Sequence, residues 1–211
     1  MDLILASSSP YRADLLRRLN LPFRQVSPDI DETMHAGEHP RALVARLARE
    51  KARAVASTLG DASGPAGGPA SGREGATVRL IIGSDQVLWA NDEVLTKPGS
   101  TERAQHQLTS LSGSQARLLT GVALLNTDSG HMQFSVATTT LHFRCLSAAE
   151  IAHYVATEMP LDCAGAFKAE GLGISLFEQI SGDDHTAIIG LPLIRLIDFL
   201  RNEGYNPLQP D

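Results

Sequence analysis

Cysteine is nearly absent. The 211 residues include only Cys145 and Cys163, too few for a disulfide framework and without metal-site spacing, so reduced thiols are expected, as in a cytoplasmic protein. Long apolar runs are missing as well, so no segment is predicted to span a membrane. Met1 is followed by Asp2, and the apolar stretch behind it is too short for a signal peptide. Positive charge is in deficit: the formal net charge is −6, which argues against broad binding to nucleic-acid backbones. Neither the Gly-x-x-x-x-Gly-Lys loop of P-loop proteins nor a Gly-x-Ser-x-Gly elbow occurs. What remains is a globular composition, 43% apolar and 20% charged. The length suits one large domain or two small lobes sharing a core. Any phosphate site must then be a local basic pocket in an acidic protein.

The N-terminal stretch Leu3-Ile4-Leu5-Ala6-Ser7-Ser8-Ser9-Pro10-Tyr11-Arg12 reads as a buried strand, a hydroxyl-rich turn and the first turn of a helix. Ser9 suits the N-cap, and Pro10 suits the first helical position because its missing N–H would have no helical partner. Two uses fit these residues. One is a capped helix after an edge strand. The other is a phosphate cradle, in which free N–H groups at the helix start combine with Ser7, Ser9 and Arg12.

Further along, a helix is predicted from Pro10 to Leu19, a strand over Phe23–Val26, and a long helix from Pro40 to about Leu59. Lys51 falls on the apolar stripe of that helix between Leu47 and Val55, so it either snorkels to the rim or points into a site. Gly60–Ala76 is rich in Gly, Pro and Ser and reads as a flexible surface loop, not a domain boundary. Val78–Gly83 reads as a buried strand delivering Ser84-Asp85-Gln86 at its carboxyl end, where α/β sheets bind ligands. A hairpin around Asn91-Asp92, a helix over Thr101–Leu111, an antiparallel ribbon over Gln115–Asn126 and His131–Arg144, and a capping box at Ser147–Glu150 follow. Phe167, Lys168 and Glu170 project from a small-residue segment. Leu172–Ile180 reads as a strand, and a last helix starts at Leu191-Pro192. The predicted fold is α/β, with a mixed central sheet, flanking helices and two lobes around a cleft.

Asp85, with Asp31 and Glu32 from another loop, supplies the oxygen ligands that Mg²⁺ or Mn²⁺ prefers. Arg12, Lys51 and Lys97 are cations on three separate elements, and convergence on a polyphosphate would account for all three. Water attack on phosphorus, assisted by a carboxylate, is the chemistry that combination suits.

In sequence order, the first stretch, Asp31-Glu32, Glu50-Lys51-Ala52, Ile82-Gly83-Ser84-Asp85-Gln86-Val87, Lys97-Pro98, Ala164-Gly165-Ala166-Phe167 and Gly190-Leu191-Pro192 resemble the motifs of the Maf-like nucleotide pyrophosphatases. The resemblance runs over nearly the whole chain. It implies one α/β domain over residues 1–211, related in fold to inosine triphosphate pyrophosphatases, often a homodimer. It also implies divalent-metal-dependent hydrolysis of a nucleoside triphosphate to the monophosphate and pyrophosphate. It makes Asp85 the catalytic base and a metal ligand with Glu32. It puts Ser7, Ser9, Arg12, Lys51, Lys97 and Lys168 on the substrate. The family's septum-linked name leaves a non-catalytic regulator of cell division as an alternative.

Three positions separate the branches of that family. The dTTP/UTP branch usually reads Ser-Pro-Arg-Arg, Asp-Thr and Ile-Gln-Gly. The corresponding places here read Pro10-Tyr11-Arg12, Asp85-Gln86 and Ala169-Glu170-Gly171, a pattern similar to the branch acting on 7-methyl-GTP, where tryptophan is common in place of Tyr11. The specificity candidates are therefore Tyr11, Gln86 and Glu170. A 7-methylguanine ring is cationic, which suits an aromatic face, and its N1–H and amine suit a carboxylate.

Overall fold

The computed structural model describes residues 2–61 and 78–209; most of the Gly60–Ala76 loop lies outside them. In chain order the elements are β1 (Asp2–Ala6), α1 (Pro10–Arg17), β2 (Phe23–Val26), α2 (Pro40–Asp61), β3 (Arg79–Ala90), β4 (Glu93–Leu95), α3 (Thr101–Leu111), β5 (Gln115–Asn126), β6 (Met132–Phe143), α4 (Ala148–Glu158), two 3₁₀ turns (Ala164–Ala166 and Leu172–Leu176), β7 (Phe177–Ser181) and α5 (Leu193–Asn202). No helix among the described residues is long and apolar enough to cross a membrane.

The seven strands form one mixed sheet in the order β2-β1-β3-β5-β6-β7, with β4 also paired to β3. β1 is parallel to β2 and β3, and the other pairs are antiparallel. The apolar run Leu3–Ala6 is buried on both faces, as a parallel strand covered on two sides must be. Leu3 and Leu5 pack with α1 and α5, whereas Ile4 and Ala6 face α2. A second core lies farther along β3, β5 and β6, where Leu108, Leu111, Ile151 and Val155 of α3 and α4 meet Leu88, Leu118 and Phe143. The two expected lobes are thus two packing regions on one continuous sheet.

Several boundaries differ from the sequence-based expectation. The first helix stops at Arg17, and the predicted Leu172–Ile180 strand is a 3₁₀ turn before Phe177. The main difference concerns β3, which does not end at Gly83 but runs on to Ala90. One of its edges pairs with β5 from Leu80 to Trp89. The other edge pairs with β1 over Arg79–Gly83 and with β4 over Leu88–Ala90. Between those partners, Ser84–Val87 have no strand neighbour on that side. Asp85 therefore does lie where the parallel pairing ends, within a strand that continues.

Helix α2 presses on this region with its backbone. A Cβ on Gly83 would lie 1.9 Å from the Ala48 carbonyl oxygen, and one on Gly121 would lie 2.3 Å from that of Val44. Gly121 is the cross-strand partner of Asp85, so both glycines lie on the Asp85 face of the sheet. Overpacking a tight core costs about 1–3 kcal/mol, and here the obstacle is backbone that cannot swing aside. Gly121→Ala is expected to lower stability by at least that amount, read as a lower urea midpoint with an unchanged slope.

Candidate active site

A cleft of about 640 Å³ opens at the free edge of β3. Its wall on the β1 side is the Ser7–Arg12 turn; on the β4 side it is Thr96-Lys97. α2, the Glu32–Met34 stretch and the 162–170 segment complete it.

The turn after β1 is built as the sequence suggests. Ser9 caps α1 by accepting from the Arg12 backbone N–H at 3.4 Å, with Pro10 in the first turn. Buried Ser7 Oγ accepts from Ser9 N–H at 3.1 Å and from Arg12 Nη1 at 3.4 Å. Arg12 Nε donates to the Gly190 carbonyl at 2.9 Å. The guanidinium is aimed by residues from both ends of the chain. Burial lowers the Arg12 pKa, and the charges of Asp85 and Glu32 oppose that shift.

Alternation along β3 splits its polar residues between two faces. Asp85 faces α2 and meets Lys51, whose ammonium lies 2.7 Å from Asp85 Oδ1 and 2.7 Å from Glu32 Oε1. Lys51 is 6% and Asp85 7% exposed, which decides between the two fates of Lys51: it points into the cleft and does not snorkel. Burial raises the Glu32 pKa, but the hydrogen bond and charge of Lys51, together with the charges of Lys97 and Arg12, outweigh it and hold the carboxyl below its ordinary value. Arg12, Lys51 and Lys97 thus all act on Glu32 and all line the one cleft.

Ser84 and Gln86 face the opposite side. Ser84 Oγ lies 2.8 Å from both the Gly121 and the Gly190 carbonyl oxygens, with its single O–H to donate between them. Gln86 Nε2 donates to Thr120 Oγ1 at 2.9 Å and to the Ala187 carbonyl at 2.8 Å. With its amide N–H groups engaged, Gln86 has its carbonyl oxygen to offer a ligand. The loop receiving these bonds is fixed by Asp184. Its carboxylate accepts from Thr186 N–H at 2.9 Å and from Ile194 N–H at 2.8 Å, capping α5 from ten residues upstream. Sequence reasoning placed Ser84 at the strand end without giving it a role, and it missed Thr120, Asp184 and Thr186, because no local pattern links a helix start to a carboxylate so far away.

The same cleft is lined by half-buried Tyr11 and Cys163 and by exposed Asp162 and Glu170. Burial, then the neighbouring charges of Asp162 and Cys163, raise the Tyr11 pKa. Burial and Asp162 push the Cys163 thiol up to about 12, which keeps it protonated and unreactive. Lys168 lies beside Tyr11: burial lowers its pKa, but the charges of Tyr11, Cys163 and Asp162 and a side-chain hydrogen bond with Tyr11 outweigh that and raise it. Its ammonium donates to the Glu158 carbonyl at 2.8 Å, near the C-terminus of α4, where a cation complements the helix dipole. The structure does not bring it to Arg12, Lys51 and Lys97.

Asp85 and Glu32 are the acids available to a cation. Among the described residues no group of three or more His, Cys, Asp or Glu has metal-site geometry. Two carboxylates drawn onto one ammonium nevertheless fit Mg²⁺ or Mn²⁺, which binds one or two carboxylates and completes its shell with water and substrate phosphates.

The family described as Maf-like protein matches residues 2–203. The chain belongs to that family. Among its relatives, a Pseudomonas putida protein named 7-methyl-GTP pyrophosphatase is 51% identical over 205 residues, covering 97% of both chains. A Pseudomonas aeruginosa protein of the same name is 50% identical over 203 residues, covering 96% of this chain and 97% of that one. Among solved structures, the Staphylococcus aureus Ham1 protein aligns with a TM-score of 0.49 at 13% identity, over 96% of this chain and 100% of that one, a likeness too loose to carry any argument.

The Glu32 loop is held by ionic contacts that should respond to acid. Glu38 accepts two hydrogen bonds from Arg46, both 2.8 Å, and its pKa is lowered from 4.5 to about 2, chiefly by that pairing. The folded carboxyl is the stronger acid, so its contribution to stability is complete above pH 4.5 and is lost as pH falls toward 2. The stability difference between wild type and Glu38→Gln, measured by urea unfolding, is expected to shrink over that interval. A constant difference would contradict the pairing.

Proposed function

We propose that the protein hydrolyses 7-methyl-GTP to 7-methyl-GMP and pyrophosphate. The observation carrying this is one cleft that gathers Arg12, Lys51 and Lys97 about Glu32, with Lys51 also on Asp85, and that presents Tyr11 and Glu170 as well. Membership of the Maf-like family and the names of the Pseudomonas relatives support the same substrate. The proposal includes a single catalytic domain over residues 1–211, working in the cytoplasm as a homodimer, with no nucleic-acid or membrane partner.

In this mechanism the triphosphate lies along the Ser7–Arg12 turn, where backbone N–H groups, Ser7, Ser9 and the cations meet its charge. Lys51 holds Asp85 through Oδ1, which leaves the second carboxylate oxygen to orient a water and accept its proton. The water oxygen bonds to the α-phosphorus. The bond from that phosphorus to the bridging oxygen breaks, and pyrophosphate departs with the electron pair. Arg12, Lys51 and Lys97 stabilise the charge that grows on it. Mg²⁺ or Mn²⁺ held by Glu32 and Asp85 would neutralise phosphate charge and acidify bound water. At the base end, the Tyr11 face attracts the cationic ring, and the Glu170 carboxylate accepts from its N1–H and exocyclic amine.

Pyrophosphate release measured over a panel of nucleoside triphosphates tests the assignment. Activity should be greatest on 7-methyl-GTP, and Asp85→Asn should reduce it about 10²–10⁴-fold in a protein that remains folded. Near-wild-type turnover would remove Asp85 from the mechanism.

Base choice gives a second prediction. A carboxylate repels the carbonyls of a pyrimidine edge, whereas an amide can donate to one of them. Glu170→Gln is expected to cut kcat/KM for 7-methyl-GTP roughly ten- to a hundredfold, the loss of a charge-assisted bond, while UTP and dTTP improve relative to it. Tyr11→Ala should reduce the preference for methylated over unmethylated guanine. An equal fall on every substrate after Glu170→Gln would place Glu170 on the phosphates or in the fold instead.

A further inference from the structure

Glu32 lies on a stretch without regular structure, between β2 and α2, and its side chain is 58% exposed. A loop carboxylate that open needs something to hold it over the cleft. The contacts that do so centre on Arg46 of α2. Its guanidinium grips Glu38 through Nε and Nη2, both at 2.8 Å. Nη2 also donates to the Thr33 carbonyl at 3.0 Å, and Nη1 donates to Glu50 Oε2 at 3.0 Å. Thr33 adjoins Glu32 and Glu50 adjoins Lys51. One planar cation therefore fastens the neighbour of each partner in the Glu32–Lys51 ion pair. Glu38 is further fixed by accepting from the His35 backbone N–H at 3.1 Å. The Arg46 side chain is 15% exposed and does not line the cleft, so it acts only through what it holds.

We propose that Arg46 is a positioning residue that fixes Glu32 where its carboxylate and that of Asp85 can take one divalent cation. The assignment rests on Glu32 and Asp85 being the cation ligands proposed above. Lysine could supply the charge but not the fork, because a guanidinium binds a carboxylate with two parallel bonds and still has N–H groups left for two more acceptors.

The test measures Mn²⁺ binding without nucleotide, by electron paramagnetic resonance of the free ion, in the full-length protein. Arg46→Met is expected to weaken Mn²⁺ binding about ten- to a hundredfold, the usual effect of losing a residue that orients a ligand, and Glu32→Gln, which removes a ligand itself, by at least as much. Arg46→Lys should fall between Arg46→Met and wild type. If Arg46 acts through Glu32, the double variant binds no more weakly than Glu32→Gln alone. In turnover assays the Arg46→Met activation curve should shift to higher Mn²⁺, with kcat recovering at saturation. A role confined to folding would lower kcat at every Mn²⁺ concentration. Should Arg46→Met fail to fold, Glu38→Gln replaces it in the same cycle, since it removes the acid that Arg46 grips at nearly unchanged volume. Wild-type Mn²⁺ affinity in Arg46→Met beside a weakened Glu32→Gln would overturn the positioning role and leave the cation site standing. Additive losses in the double variant would also overturn it. Wild-type affinity in Glu32→Gln would overturn the proposed cation ligand and this role with it.

Discussion

One edge of β3 has two partners that never meet. β1 covers its first part and β4 its last, so Ser84–Val87 are held from one side only, by β5. The cleft lies at that opening. Ser7 leaves β1 on one side of the gap, and Lys97 follows β4 on the other. Because the strand continues through the gap, its alternation is preserved, and Asp85 faces α2 while Ser84 and Gln86 face the Asp184–Gly190 loop. A strand that ended at Gly83 would have no such fixed division.

The electrostatics depend on the same geometry. An ammonium as enclosed as that of Lys51 is costly to desolvate unless close acidic partners offset the cost. The bare approach of α2 at Gly83 and Gly121 brings Lys51 within 2.7 Å of Asp85, and Glu32 closes over it from the loop. Acids and bases are interleaved: Arg12, Lys51 and Lys97 each act on Glu32, so a protein with a net charge of −6 gathers three cations among the acids of one cleft. The part of the cleft lined by Tyr11 and Glu170 differs in kind, with an aromatic side chain and an exposed carboxylate.

Much of this was legible in the chain because it is local. Residues next to each other dictate the strand–cap–helix stretch from Leu3 to Arg12, the Ser100 and Ser147 caps, the α2 stripe and the antiparallel ribbon, and each formed where periodicity and capping chemistry put it. The motif residues Ser7, Arg12, Glu32, Lys51, Asp85 and Lys97 do share one cleft. Lys168 stands apart from those cations, between Tyr11 and the end of α4, because a lysine beside a motif looks the same in sequence whichever neighbour it serves.

Local sequence could not say where β3 would lose a neighbour, since a strand edge belongs to its partners. Nor could it settle whether Lys51 would snorkel. That depended on how closely α2 approaches the sheet, which two glycines on different strands decide together. Arg46 is one of several arginines on α2, singled out only when the loop bearing Glu38 folds back on it. Side-chain type and spacing along the chain determined the elements and the chemical inventory of this protein. Only the tertiary structure decided which charges face one another, because ion pairing falls away within a few ångströms and sequence distance does not measure that separation.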